Sequence, residues 1–430
     1  MFVGIGVGIG RQRFGGGIFS AYAARVVADG GVTEAGSCVN AVSTLLQTAS
    51  LLLVPSGYKS GKVYSQIPTN GNGDLTWTRG SDAVRTNSTG LLESMATGVP
   101  RLSYMYGSCP ALLLEPQRTN LGLNSEDLTT ISWLKGTGVT ITANQTTAPD
   151  GNTTADLVTG ATGTGTWNSA NTLGATTILS SSTLYFASIY LRSTTSSSSV
   201  VLRFRDQTTG AENNITCNLT SSWQRFDTSR TSGASTTQLA IVLTNATADF
   251  YAWGRQIEAG TYPTTYIPTT SATATRVADS FTRNNIYTNN LISASGGTWF
   301  VELRNNIPFT RDTFADGVIL KDNTGQNGFV FTFGLSSPSA GFCLIRKIVG
   351  GVLTSLYTTT TTTVKSAIKW NGTTADIFVN GVKVVTATSF SATQLEILSS
   401  TGADTTKFIQ QMALYSSPLS DTDCILITTL

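Results

Sequence analysis

Along most of this chain, apolar and polar residues alternate in short runs, each cut off by a cluster of Gly, Asn, Asp or Ser. Period-two alternation over four to eight residues is the mark of a half-buried β-strand, because successive side chains point to opposite faces. Residues 183–191 give the clearest strand of the middle region, followed by 200–205, 223–226, 238–243 and 249–253. Further on, 298–303, 328–333 and 341–345 read the same way. A hairpin is expected over 376–385, since Asn380-Gly381 suits a type I′ turn whose two central residues need positive φ. Residues 358–363 are all threonine and suit an extended edge or loop. Short strands at regular spacing with turn signals between them predict a β-sandwich or jelly roll.

The first quarter of the chain reads differently. In 1–35, Val3, Ile5, Val7 and Ile9 alternate with glycines, which suits an extended leader that orders by packing against another subunit. In 36–110, Cys38, Val42, Leu45, Leu46 and Ala49 recur at three- and four-residue intervals and predict a helix over 36–50, stopped by Pro55 and Gly57. Strands are expected over 58–67, 74–80 and 90–93, with a turn at Asn70-Gly71-Asn72-Gly73. The expected architecture is therefore mainly β. Two tandem jelly-roll-like sandwiches, 111–275 and 276–430, follow an extended N-terminal anchor (1–35) and a transitional region (36–110) with a short helix.

Composition narrows the functions. Charged residues make up 12% of the chain and the net charge is +2, against about 25% charged in an average protein. No basic block exceeds a pair, which argues against nucleic-acid binding. The chain contains no histidine, so a Ser-His-Asp triad and a His-bearing zinc site are excluded. No catalytic residue, metal or cofactor is expected. Gly4-x-Gly6-x-Gly8 lacks the preceding strand a dinucleotide loop needs. Asp312, Asp316 and Asp322-Asn323 have no calcium-loop spacing and read as solvated. The five cysteines share no CxxC spacing and read as buried thiols made in a reducing cytoplasm. Arg11 and Arg13 follow the first apolar run instead of preceding it, so neither a signal peptide nor membrane insertion is expected.

Several motifs carry a resemblance. Residues 112–120, Trp133, Ala148-Pro149-Asp150-Gly151, Trp223-Gln224-Arg225 and the run from Ala252-Trp253-Gly254 to Pro268-Thr269-Thr270 resemble a module of tail fibres and other virion-surface proteins of tailed bacteriophages. Residues 80–87 and 90–93 resemble the linker just upstream of that module. Ile368-Lys369-Trp370-Asn371-Gly372, the Asn380-Gly381 hairpin and the run 412–421 resemble the concanavalin-A/laminin-G class of sandwich. The resemblance implies a carbohydrate-binding-type jelly roll in a homotrimeric head or tail fibre or decoration subunit. Such a subunit is made in the bacterial host cytoplasm, joined to other virion proteins through its N-terminal segment, and displayed toward host-surface or mucosal glycans. A ligand-free spacer and a polysaccharide depolymerase are the alternatives, and a secreted bacterial adhesin is a further one.

Sugars are gripped by flat aromatic faces with Asn, Asp or Arg alongside. On that ground Trp167 and Asn168, in the loop-like 163–169, are candidate glycan contacts, with Tyr185 and Tyr190 behind them. Glu115, Pro116, Arg118, Asn120, Trp253, Glu258 and Pro268 form the structural motif, tying the first strand to the sandwich. Arg118 is expected to pair with Glu115 or Glu258, and Trp253 to join Tyr251 on one strand face that packs inward. An exposed aromatic cluster on one sandwich face would favour adhesion, and uniformly Ser/Thr-covered faces a spacer.

Overall fold

A computed structural model describes residues 18–429, apart from 35–37, 39–42, 131, 166–168, 171, 179, 237, 305–314, 334–342, 362, 392–393 and 403–405. The fold is mainly β, as expected, and its strands form two sandwiches. Their connectivity is nested, not tandem.

The larger sandwich draws strands from both ends of the chain. Its first sheet runs Val32–Thr33, Gly57–Lys59, Lys62–Val63, Leu75–Thr78, Ser280–Arg283, Ile397–Thr401, Ala315–Lys321, Gly328–Phe333, Cys343–Val349 and Val352–Thr359. The second runs Val382–Ser389, Thr374–Val379, Thr363–Trp370, Gly297–Arg304, Lys407–Tyr415, Ala111–Leu114 and Leu102–Ser103, with Leu51–Leu53 also paired to Lys407–Tyr415. One core fills the space between them. It includes Leu51, Leu53, Leu75, Trp77 and Leu112 from the first part of the chain, and Phe281, Trp299, Phe331 and Trp370 from the last. Most strands of 36–110 are thus part of this sandwich and not a transitional region, while Ala83–Thr86 and Leu92–Met95 pair in a two-stranded sheet of their own. Ala111–Leu114, expected to open the middle domain, instead pairs with Lys407, Phe408 and Ile409.

The smaller sandwich interrupts the larger one. Its inner sheet is Leu134–Lys135, Leu173–Ile178, Gln238–Thr244, Ser197–Asp206 and Glu212–Thr220. Its outer sheet is Thr140–Thr146, Ala155–Thr159, Phe250–Ala259, Leu184–Ser193 and Gln224–Thr231. The chain leaves the larger sandwich through Arg118–Asn120 and returns through Ala274–Arg276, and these two strands pair antiparallel. Adjacent ends of this kind are what allow one domain to sit within another.

Helices near both ends of the described chain flank the sandwiches. Ile18–Ala28 (α1) lies in the segment expected to be extended. Tyr22 and Val26, four residues apart on one helix face, bury against Tyr64. Arg25 reaches Asp74 at 2.8 Å, and Gly30 closes the helix at φ 72°. The leader strand expected at Val3–Ile9 lies outside the described residues. Of the helix expected over 36–50, Cys38 is helical, residues 36–37 and 39–42 lie outside the described residues, and the end of the span is a 3-10 turn at Leu46–Thr48. The chain then turns extended at Ala49 because Leu51–Leu53 is claimed by the partner strand Met412–Leu414. Leu46, Ala49 and Leu52 still meet one another, in a small core with Cys424 and Ile427 of the terminal helix Asp421–Thr429 (α2). Ser420 caps α2, its hydroxyl accepting from the Asp423 amide at 3.1 Å and donating to the Asp423 carboxylate at 2.7 Å.

The local turn chemistry is as expected. Asn380 and Gly381 have φ of 46° and 82° between strands Thr374–Val379 and Val382–Ser389. Asp322 holds a tight turn, accepting from Thr324, Gln326 and Asn327. Asp312 lies outside the described residues.

The cysteines need one correction. Cys217, Cys343 and Cys424 are buried thiols, but Cys38 and Cys109 form a disulfide across 71 residues of sequence. The bond joins the start of the larger sandwich to the approach to Ala111–Leu114, a proximity that spacing could not reveal. Alkylation of the denatured protein without reductant is therefore expected to label the three free thiols, and reductant to add the remaining two. Full labelling without reductant, in protein kept from reductants throughout, would contradict the pairing.

Candidate carbohydrate interface

The outer sheet of the inserted sandwich carries the candidate site. Alternation along Leu184–Ser193 sends Tyr185, Ala187, Ile189 and Leu191 into the core and leaves Tyr190 and Arg192 on the outer face. Along Phe250–Ala259 the same rule buries Phe250 and Ala252 and turns Tyr251 and Trp253 outward. Trp223, just before Gln224–Thr231, reaches the same face.

These residues interlock. The Arg192 guanidinium lies 4.8 Å from the Tyr251 ring centre and 5.3 Å from that of Trp223. One of its N–H groups is held by the Thr146 hydroxyl at 2.6 Å. The Trp223 indole N–H donates to the Thr147 carbonyl at 2.8 Å, which fixes the ring's orientation. All three side chains are partly exposed. Beside them Tyr190 meets Trp253 and Tyr266 edge-on at 5.7 and 6.4 Å, and Arg225 covers Tyr190 at 5.5 Å. Arg225 is in turn anchored to the Thr264 carbonyl and the Ser188 hydroxyl. The partly exposed part of this face is an arginine between two aromatic rings.

The aromatic row continues under a hairpin that forms a two-stranded sheet of its own, Ala83–Thr86 with Leu92–Met95. Leu92 packs against Trp253 and Tyr266, and its amide donates to the Pro149 carbonyl at 2.9 Å. Against the hairpin is a cleft of about 400 Å³, whose walls include Asn87, Glu93, Glu126, Asp150, Asn152 and Tyr266. A second hollow of about 460 Å³, bounded by Ser81, Asp82, Thr97, Ile267 and Arg276, shares Val84, Ser94, Tyr266 and Pro268 with it.

The expected sugar contacts fare unevenly. Trp167 and Asn168 lie outside the described residues. Tyr185 faces the core, its hydroxyl accepting from the Ser180 amide at 3.1 Å. Tyr190 is on the outer face but braces Trp253. Trp253 is buried, but on the sheet's outer side under the hairpin, not in the sandwich core, and its indole N–H reaches the Thr154 hydroxyl at 3.0 Å. Arg192 and Tyr251, which carry the most accessible part of the face, escaped selection as ligand contacts. The signal was present: both sit at outward positions of strands whose inward positions are largely apolar.

The structural motif ties the two sandwiches together. Glu115 accepts from Arg101 at 2.6 Å and lies 3.0 Å from Arg276, with the Thr265 amide at 2.8 Å. Arg101 also bonds Asp279, which Arg79 meets at 3.2 Å. Arg101, Glu115, Arg276 and Asp279 are all buried, and Arg276 also donates to the Pro116 carbonyl at 2.8 Å. Burial alone would raise the Glu115 pKa; Arg276 and Arg101, with the Thr265 hydrogen bonds, outweigh it and hold the value down to about 2. Arg118 does not pair with Glu115. It pairs with the other expected partner, Glu258, at 3.9 Å and lies 5.6 Å over the Tyr262 ring, while Glu258 also accepts from Gln256 and Thr264. The Asn120 amide bridges backbone groups of Arg255, Ile257 and Ile267. Pro268 is exposed and lines both hollows.

No family model and no curated protein matches the chain. Solved structures share parts of it. A structure of botulinum neurotoxin type C, a toxin whose cell entry depends on interaction with two ganglioside molecules, aligns at 8% identity and TM-score 0.29 over 35% of this chain and 39% of its own. Tailspike protein 4 of bacteriophage CBA120 aligns at 16% and 0.24 over 33% and 21%, and a Clostridium thermocellum xylanase 10B at 14% and 0.24 over 36% and 30%. The chain thus spans well under half the length of each.

Proposed function

We propose that this chain is a carbohydrate-binding surface protein, a fibre or decoration subunit of a tailed-phage virion, that holds glycans on the outer face of its inserted sandwich. The observation that carries the binding reading is Arg192 held between Trp223 and Tyr251 on a partly exposed sheet face. A pyranose presents C–H groups that stack on such rings, while the free N–H groups of a fixed guanidinium donate to sugar oxygens. The face is preorganised, because Thr146 and Thr147 already orient the arginine and the indole, so binding costs little side-chain ordering. The virion role rests on the resemblance of the motifs around this face, and multivalent display would turn weak single contacts into avidity. Attachment through the N-terminal segment and trimeric assembly belong to the same proposal.

Probing a glycan array with the full chain tests the binding reading. Binding to a defined class is expected, with Trp223→Ala and Arg192→Ala each lowering affinity at least about tenfold without changing the melting temperature by more than a few degrees. Absence of binding by correctly folded protein would favour the spacer role.

A further inference from the structure

We propose that the cleft between the 83–95 hairpin and the inserted sandwich is a second saccharide subsite, continuous with the Arg192–Trp223 face, and that it takes a neutral, hydroxyl-rich sugar residue. The inference rests on the carbohydrate-binding reading and extends it: the ligand is an oligosaccharide long enough to reach from the face into the cleft.

One loop builds both places. Thr146 holds Arg192, and the Thr147 carbonyl holds Trp223. Ala148 then packs with Trp253, the Pro149 carbonyl receives the hairpin's Leu92 amide, and Asp150 and Asn152 line the cleft. The five residues from Thr146 to Asp150, four steps along the chain, span at most about 14 Å even when fully extended. Trp223 packs against the same aromatic group that floors the cleft.

The lining chemistry selects the sugar. At about 400 Å³ the cleft has the size of a small-molecule site. Its aromatic wall, Trp253 and Tyr266, is rigid because both rings are buried and in contact at 4.6 Å. Around that wall stand hydrogen-bonding groups of Asn87, Glu126, Asp150 and Asn152. One Glu126 oxygen accepts the Tyr266 hydroxyl at 3.0 Å, and among the described residues no hydrogen bond is seen at the other. Asp150 is oriented by the amide and side chain of Asn152. Burial, with the charge of Asp150 adding to it, raises the Glu126 pKa despite the Tyr266 hydrogen bond, which places the two carboxyl groups within electrostatic reach. Glu93 is matched by Arg85 at 2.8 Å, whereas among the described residues no lysine or arginine forms an ion pair with Glu126 or Asp150. Uncompensated acceptors favour hydroxyl donors and repel a carboxylated sugar. Among the described residues no group of three or more potential ligands is arranged to hold a metal ion.

The test probes an array of neutral hexose and N-acetylhexosamine oligomers, from monosaccharide upward, together with the same oligomers capped by sialic or uronic acid. Full-length wild type, Glu126→Ala, Glu126→Gln, Asn152→Ala and Trp223→Ala are compared, each checked for an unchanged melting temperature. Expected are rising affinity with neutral chain length, loss of about tenfold on longer oligomers for Glu126→Ala and Asn152→Ala, and partial retention by Glu126→Gln. If Trp223→Ala loses binding but the cleft variants match wild type at every length, the cleft subsite is overturned and the face stands. If no variant changes binding, both readings fall. A preference for acid-capped oligomers that depends on Glu126 would also overturn the subsite.

Discussion

A fragment comprising residues 111–430 is expected not to form the larger sandwich, although it contains the whole of the inserted one. Residues before 111 supply Leu51, Leu53, Tyr58, Val63, Leu75, Trp77, Met95 and Leu102 to its single core. Burying one large apolar side chain is worth about 1.5–3 kcal/mol, and the whole stability of a domain is only about 5–15 kcal/mol. Their joint loss therefore exceeds what the remaining strands can withstand. The fragment would also expose the Lys407–Tyr415 edge that Leu51–Leu53 covers and the Ser280–Arg283 edge that Leu75–Thr78 covers, inviting aggregation. Calorimetry should show at most one cooperative transition, from the inserted sandwich, and hydrogen exchange should leave residues 280–429 unprotected. A fragment with full protection there would refute the nested topology.

Replacing Glu115 by Gln is expected to cost about 3–5 kcal/mol, the usual penalty for leaving a buried charge without its partner. Arg101 and Arg276 are buried and both face this carboxylate. Asp279 alone would then face Arg79, Arg101 and, across the junction, Arg276. Because the Glu115 pKa is held down to about 2 in the folded protein, the unfolded state takes up its proton first as pH falls. The stabilisation is complete above the ordinary carboxylate range of about 4.3 and is lost as pH drops from there toward 2. Wild type should lose melting temperature steeply over that window, and Glu115→Gln, already destabilised, should lose much less. Parallel pH profiles for the two proteins would show that Glu115 contributes nothing to the junction. Replacing Glu115 and Arg101 together by apolar residues of similar size should recover part of the loss.

How much of this was legible in the sequence depended on distance along the chain. The Asn380-Gly381 hairpin and the strand 328–333 follow from φ preference and alternation, which are local, and the structure places them as expected. Helix α2 had a legible start in Ser420 and Asp423, a cap three residues apart. Helix α1 was hidden because the glycine-alternating residues before it set the reading of the whole leader. The nesting was not legible, since the apolar runs 51–53 and 111–114 fit a buried strand but say nothing about which strand it joins. The same limit hid the disulfide and the Glu115 network, whose members are far apart in sequence. The binding face was half legible: strand alternation separates Tyr190 and Arg192 from the core, but only the sheet order brings Trp223 and Tyr251 beside them.

The central claim is that glycan binds the outer face of the inserted sandwich. A crystal structure of the full chain with the strongest array-selected oligosaccharide tests it most directly. A sugar ring stacked on Trp223 or Tyr251, with Arg192 donating to its oxygens, is the result the account predicts. A ligand seated on the larger sandwich or on the inner sheet, with the Arg192 face empty, would contradict it.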